Sequence, residues 1–96
     1  MSNFVDVKPF TGGAVETMQL SGGPQCRQVQ IGFDLRSTGS ITVKARGVGA
    51  QSFDPVTNGV VNLATNNTLT IPGAIAELQF TDGGTGAYKV TVISFT

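Results

Sequence analysis

Two runs near the C-terminus, Ile75-Ala-Glu-Leu-Gln-Phe-Thr81 and Ala87-Tyr-Lys-Val-Thr-Val-Ile-Ser-Phe95, alternate apolar and polar side chains on either side of the Gly-rich segment Asp82-Gly-Gly-Thr-Gly86. An alternation of period two is what a β-strand with one face on a core requires, and a helix, whose faces recur every ~3.6 residues, cannot use it. In the first run Ala76, Leu78 and Phe80 share a face against Glu77, Gln79 and Thr81; in the second Tyr88, Val90 and Val92 oppose Lys89 and Thr91. Two such runs around a Gly-rich turn predict a β-hairpin. Ile93 and Phe95 add apolar side chains out of phase, so the end of the last strand is expected to be buried on both sides or to face a partner chain.

The same alternation recurs along the chain. Phe4, Val5, Val7 and Phe10 with Pro9 predict a short strand or an N-terminal arm, and Pro9, lacking an N–H, places it at a sheet edge. Ala14 to Leu20 is a second candidate strand, with Ala14, Met18 and Leu20 on one face around Glu16, which implies either that this face lies at the sheet rim or that the register is a different one. In Gln25–Leu35 the residues Val29, Ile31 and Phe33 point one way, and Gly32 among the polar positions suggests a bulge or a close neighbour. Ile41, Val43 and Ala45 face inward against Thr42, Lys44 and Arg46. Gln51–Thr57 carries Pro55, again an edge-strand mark. Asn58-Gly59 has the residues a type I′ turn needs at its two φ > 0 positions and predicts a two-residue hairpin, with Val60–Leu63 as return strand. Leu69 and Ile71 are in phase in a further short strand before Pro72-Gly73.

Helix formers never gather at i, i+3, i+4 spacing over three turns, whereas β-formers are dense: eleven Val, twelve Thr, five Ile and six Phe, punctuated by thirteen Gly and four Pro. The expected fold is all-β, an antiparallel β-sandwich of about eight short strands, jelly-roll or Ig-like. The 96 residues read as one β domain, 1–96, with 1–13 as the segment that would form an arm. The expected core is Val29, Ile31, Phe33, Ile41, Val43, Leu78, Phe80, Val90 and Val92.

Six Lys and Arg balance six Asp and Glu, spread singly, so no basic face exists to bind a phosphate backbone and nucleic acid is not an expected partner. A low charged fraction at zero net charge leaves little repulsion between copies, which favours self-association. Cys26 is the only cysteine and closes no intrachain disulfide, and no apolar run reaches the length of a membrane span. A reducing compartment, the cytoplasm in which the chain is made, is expected, and no membrane partner.

Chemistry is nearly excluded. The absence of His removes the usual general base, the commonest metal ligand and the standard triad. The carboxylates at 6, 16, 34, 54, 77 and 82 stand alone, and a paired-carboxylate hydrolase would require the fold to unite two of them, Asp34 and Asp54 being the pair to check. Asp82-Gly-Gly-Thr-Gly86 lacks the Gly-Lys-Ser/Thr and the helix of a P-loop, and Gly47-Val48-Gly49 lacks the third Gly of a dinucleotide fingerprint. Asn66-Asn67-Thr68 matches a glycosylation acceptor but reads most simply as a polar turn, and Cys26 beside Arg27 as a small packing residue. No catalytic residue, no metal and no cofactor are expected. Uncharged Thr and Gln rows would suit sugar contacts, yet with no Trp and the single Tyr88 the aromatic platform is missing.

Gly39-Ser-Ile-Thr-Val-Lys-Ala-Arg-Gly47, Gly49-Ala-Gln-Ser-Phe-Asp-Pro-Val56 and Gly86-Ala-Tyr-Lys-Val-Thr-Val92 together resemble small β-rich virion proteins of tailed bacteriophages, over residues 39 to 95. The resemblance implies a non-enzymatic structural role in the virion: capsid decoration or cement, or a small neck or tail component. It also implies a homo-oligomer, most simply a trimer, contacting a major capsid or other virion protein. The alternative is a receptor- or carbohydrate-binding module of a tail fibre. The residues expected at the interface are Phe4, Val5, Val7, Phe10, Ile93 and Phe95.

Overall fold

The computed structural model describes residues 3–96. Eight strands follow one another: β1 Phe4–Phe10, β2 Val15–Gln19, β3 Gln28–Asp34, β4 Ser40–Gly47, β5 Asp54–Asn62, β6 Thr68–Pro72, β7 Ile75–Asp82 and β8 Tyr88–Phe95, with one 3-10 turn at Gly23–Gln25. They form two four-stranded antiparallel sheets, ordered β1-β8-β3-β6 and β2-β7-β4-β5. The pairs β1·β8, β2·β7, β3·β6 and β4·β5 are nested, as in a long ribbon folded back on itself and rolled up. That nesting is the jelly roll, and it decides between the two sandwiches the sequence left open.

The inward rows follow the alternation. Val29, Ile31 and Phe33 of β3, Ile41 and Val43 of β4, Leu78 and Phe80 of β7, and Val90 and Val92 of β8 are all buried between the sheets. Phe10, Met18, Ala45, Val61, Leu63, Leu69, Ile71, Ile75 and Tyr88 complete the core, which carries an aromatic cluster where Phe80 meets Phe10 at 5.7 Å and Phe33 edge-on at 5.8 Å. Pro9, Pro55 and Pro72 all lie on edge strands, where a missing N–H breaks no ladder.

Two expected hairpins are absent. β7 pairs with β2 and β4 while β8 pairs with β1 and β3, so residues 83–87 carry the chain across the sandwich from one sheet to the other. Both runs are central strands, each needing two partners, and the residues that supply them are remote: Phe4 lies opposite Ser94, and Gln19 opposite Glu77. Asn58-Gly59 does not reverse the chain either, since β5 runs through it. The register with β4 steps from Thr42↔Val60 to Lys44↔Pro55, so Val56–Gly59 bulges opposite Val43. Asn58 takes the positive φ, 58°, that its sequence anticipates. Gly59 is required for closeness, because a Cβ there would lie 2.7 Å from the Val43 carbonyl oxygen. By contrast Gly32, expected to mark a bulge or a close neighbour, sits in regular register with Thr68 and Thr91, and a Cβ there would meet only the Thr91 carbonyl oxygen, at 3.9 Å.

Of the two readings of the N-terminus, Phe4–Phe10 takes the strand, paired along its length with β8. Met1 and Ser2, part of the segment expected as an arm, lie outside the described residues.

Candidate functional site

Strand β8 alternates without a break, Tyr88, Val90, Val92 and Ser94 inward and Lys89, Thr91, Ile93 and Phe95 outward. Ile93 and Phe95 are therefore apolar residues on the solvent side of the first sheet, and the inward residue between them is the small Ser94. Val5 of the edge strand lies opposite Ile93 and Val7 opposite Thr91, with Val5 and Val7 60% and 55% exposed. On the other side of β8, Gln30 lies opposite Ile93 and Gln28 opposite Phe95. The outcome is an apolar stripe across β1 and β8, flanked by uncharged Gln and Thr, with charge only at Asp34 and Lys89, themselves cross-strand neighbours. Four of the six residues expected at an interface thus come together. Phe4 and Phe10 do not, because they occupy the inward positions of β1, Phe10 being a core residue against Tyr88.

Inward-facing charges close the open side of the sandwich next to this stripe. Asp6 accepts hydrogen bonds from the Ser21 N–H at 3.0 Å and its hydroxyl at 3.1 Å, and Lys8 donates to the Thr17 carbonyl at 3.4 Å. Both tie edge strand β1 to the β2 segment, and inward charges of this kind are one way a sheet edge is kept from recruiting strands at random.

At one end of the sandwich the carboxylate of Asp82 is held by four donors. Arg36 donates from Nη1 and Nη2 at 2.8 and 2.7 Å, and the N–H groups of Gly13 and Gly84 donate at 2.7 and 2.8 Å. Arg36 also donates to the carbonyls of Gly86 and Thr38 and lies over the Tyr88 ring, 5.4 Å from its centre. These bonds join the β1–β2, β3–β4 and β7–β8 connections, and Gly12 is obligatory beneath them, since a Cβ there would overlap the Gly86 carbonyl. The Arg36 hydrogen bonds, then those from Gly13 and Gly84, hold the Asp82 carboxyl well below the usual carboxylate range despite its burial, and the Arg36 pKa is raised mainly by the same contact. This is a structural latch. Its members are 46 residues apart, and no local signal in the sequence marks them as partners.

Burial pushes the Tyr88 phenol up to about 12. Its hydroxyl is buried and has no hydrogen-bond partner among the described residues. Leaving a buried hydroxyl unpaired costs about 1–3 kcal/mol, so Tyr88→Phe, which removes the hydroxyl and keeps the ring, is expected to raise stability by about 1 kcal/mol, the lower end of that range, in urea melts.

The remaining sequence candidates resolve simply. Asp34 and Asp54 belong to different sheets, opposite Lys89 and Ala45, and are not brought together. Cys26 is a buried free thiol against Gly22, where a Cβ would lie 2.6 Å from its sulfur. Asn66 forms the polar turn, accepting from the Thr68 N–H at 3.1 Å. The Gly84 N–H is consumed by Asp82 and the loop leads into a strand, which is not a phosphate cradle. Among the described residues no group of three His, Cys, Asp or Glu could hold a metal ion, and no helix is long and apolar enough to cross a membrane.

No protein-family model matches the chain, and no curated protein matches it in sequence. Among solved structures it is similar to the SPBc2 prophage-derived protein YomS, with a TM-score of 0.58 and 15% identity over 94% of this chain and 93% of that one. It is also similar to the capsular polysaccharide assembling protein CapF from Staphylococcus aureus, with a TM-score of 0.53 and 12% identity over 96% of this chain and 23% of that one. A third likeness is to an oxalate oxidase solved with the substrate analogue glycolate, with a TM-score of 0.50 and 18% identity over 97% of this chain and 42% of that one. At such identities the likeness is one of fold, and jelly rolls carry unrelated functions.

Proposed function

We propose that the chain is a non-enzymatic structural protein of a bacteriophage particle, a capsid decoration or cement protein or a small neck or tail component, working in the virion. In this reading it associates with copies of itself, as a trimer, and with a capsid or other virion protein. The observation that carries it is the outward stripe of Val5, Val7, Ile93 and Phe95 on a face whose remaining residues are nearly all uncharged. An apolar row on the solvent side of a small sandwich gains by being covered, and a chain of zero net charge does not repel its copies.

Support for the phage assignment comes from the prophage origin of the matched YomS protein, which this chain spans almost end to end, and from the resemblance of residues 39–95 to phage virion proteins. The space between the sheets is filled mainly by apolar side chains, with Ser94 the one polar residue fully buried there among the described residues. A fibre-tip sugar site loses its one tyrosine, since Tyr88 is fully buried in the core.

Replacing Ile93 and Phe95 together by Ser is expected to raise the dissociation constant of assembly at least about tenfold, the burial of two apolar side chains being lost. The monomer fold should change little, because both point outward. Light scattering across concentration, and co-sedimentation with virus shells, read the two contacts separately. A parent protein that stays monomeric at high micromolar concentration, with a double variant that decorates shells as well as the parent does, would sink the proposal.

A further inference from the structure

In an antiparallel ladder successive residues turn their N–H and C=O to opposite sides, so the hydrogen bonds of one strand fix which residues of its neighbours point outward. The Phe33 N–H donates to the Asn67 carbonyl and the Gly73 N–H to the Arg27 carbonyl, so odd-numbered residues of β3 bond β6 and even-numbered ones bond β8. Carried through the registers of β8 with β3 and with β1, this turns Phe4, Asp6, Lys8 and Phe10 toward β8 and Val5, Val7 and Pro9 toward the free edge. Pro9 and Pro72 agree with this phase, since both then direct the missing N–H to solvent. Three of the sheet edges are blunted. On β6 the Asn66 amide takes both edge groups of Thr68, at 3.0 and 3.1 Å; β5 carries its bulge and Pro55; and on the β2 segment Asp6 and Lys8 occupy the Ser21 N–H and the Thr17 carbonyl. The β1 edge stays open. Among the described residues neither backbone group of Val5 or Val7 has a partner on that side, and both are β-branched residues suited to a strand.

We propose that this edge binds the same edge of a second copy, β1 against β1 in antiparallel order, about a two-fold axis beside Val7. The proposal rests on the reading above only in that copies associate, and adds a contact which that reading does not contain. Outward groups must face outward groups, so odd-numbered residues lie opposite odd-numbered ones. With Val7 opposite Val7 of the second copy, each Val7 N–H donates to the other's Val7 carbonyl, and each Val5 N–H donates to the Pro9 carbonyl across from it. The Val5 carbonyl, opposite the missing N–H of Pro9, stays on solvent. Charge selects this register. Asp6 falls opposite Lys8 of the second copy, and Lys8 opposite Asp6 of the second copy, at the non-hydrogen-bonded positions where side chains approach closest. Moving the axis by one residue sets Asp6 against Asp6 or Lys8 against Lys8, and like charges directly opposed are destabilising. Both charges are free for the contact. Neither forms an ion pair within the chain, the ion pairs among the described residues being Arg36–Asp82 and Arg46–Glu77. Asp6 uses only Oδ2 on Ser21, and Lys8 gives Thr17 one of its ammonium donors. The charges that turn away a foreign strand thus admit a copy of their own. The two outer stripes meet at the axis in one apolar face. A two-fold contact is closed by the edge it uses, so that face stays open to the three-fold and capsid contacts of the reading above.

Charge reversal tests register and occupant together. Asp6→Lys sets Lys opposite Lys in a pair of copies and Lys8→Asp sets Asp opposite Asp. Each variant alone is expected to raise the dissociation constant about tenfold or more in sedimentation equilibrium, as cross-strand attractions become repulsions. An equimolar mixture of the two, and the double variant with the charges exchanged, restore opposite charges at every site and should assemble like the parent. Since Asp6→Lys also removes the bond to Ser21, Val7→Pro gives a second route: it deletes only an outward N–H and should disperse the pair while keeping the β spectrum in circular dichroism. Hydrogen exchange reads the bonds themselves, and the Val5 and Val7 amides are expected to slow on assembly. A mixture no better than its components, or a parent that assembles with those amides unprotected, overturns the contact. If Ile93→Ser with Phe95→Ser disperses the parent while Asp6→Lys and Val7→Pro do not, the edge contact falls and self-association through the stripe stands. A parent that is monomeric at high micromolar concentration removes the contact between copies; if its Val7→Pro variant also fails to co-sediment with shells, the edge takes a strand of another protein instead.

Discussion

Asp82→Asn is expected to destabilise the domain by about 3 kcal/mol, the lower end of what removing one partner of a buried ion pair costs. The Asp82 side chain is fully buried and that of Arg36 is 6% exposed, so the substitution leaves a guanidinium under the loops with its bidentate acceptor gone. The lower end applies because the pair lies at the end of the sandwich, beneath connections that can relax, and because Arg36 keeps its bonds to the Gly86 and Thr38 carbonyls. Removing both charges, Arg36→Gln with Asp82→Asn, should cost less than the sum of the single losses, which a double-mutant cycle in urea would show. Additive losses would mean that the two groups act separately.

The same pair sets an acid limit. Asp82 is held below its ordinary range in the folded protein, so the native state favours the carboxylate over the acid more than the unfolded chain does. Its contribution is complete at pH values above the unfolded carboxylate range, about 4. It is lost as pH falls below that range toward the depressed folded value. Stability should therefore be level through neutral pH and fall below about 4, with a shallower acid slope in Asp82→Asn.

The latch also explains which parts of the fold could be read from the chain. Inward rows were legible because their evidence is local: Val29, Ile31 and Phe33 repeat every second residue, and so do Leu78 with Phe80 and Val90 with Val92. Strand partners were not, because a jelly roll pairs its two ends, and nothing near Phe4 specifies Ser94 as its neighbour. The Gly-rich segment 82–86 carries the marks of a turn, yet whether it returns the chain beside itself or across the sandwich depends on Arg36 and Gly13 reaching Asp82 from distant loops. Asn58 is the same case at smaller scale. Its positive φ was readable, but the choice between reversal and bulge is made by β4, whose Val43 carbonyl stands against Gly59. Of the candidate surface, Val5, Val7, Ile93 and Phe95 stood out as apolar residues, whereas Phe10 could be assigned to the core only once β1 was known to pair with β8. Leu35 closes the Gln25–Leu35 run, and its positive φ of 74° leaves no trace in composition.

Phe80→Ala is expected to remove about 3–5 kcal/mol, the range for truncating a buried aromatic ring. Phe80 is completely buried on a central strand, with Val43 and Glu16 as its cross-strand neighbours and the rings of Phe10 and Phe33 against its own. The site cannot collapse easily. Its walls come from both sheets, and strands β4 and β7, held by their ladder, cannot move toward the gap without breaking register. A domain of this size has a total stability of roughly 5–14 kcal/mol, so the variant should retain a β spectrum at low temperature while melting well below the parent. Phe80→Leu keeps much of the volume and is expected to recover at least half of the loss. If Phe80→Ala costs less than about 1 kcal/mol in denaturant melts, the ring lies outside the core and β7 is shifted by one residue. That shift would turn Leu78 to solvent as well, so the same melts on Leu78→Ala, expected to cost about 2–5 kcal/mol, check the register a second time.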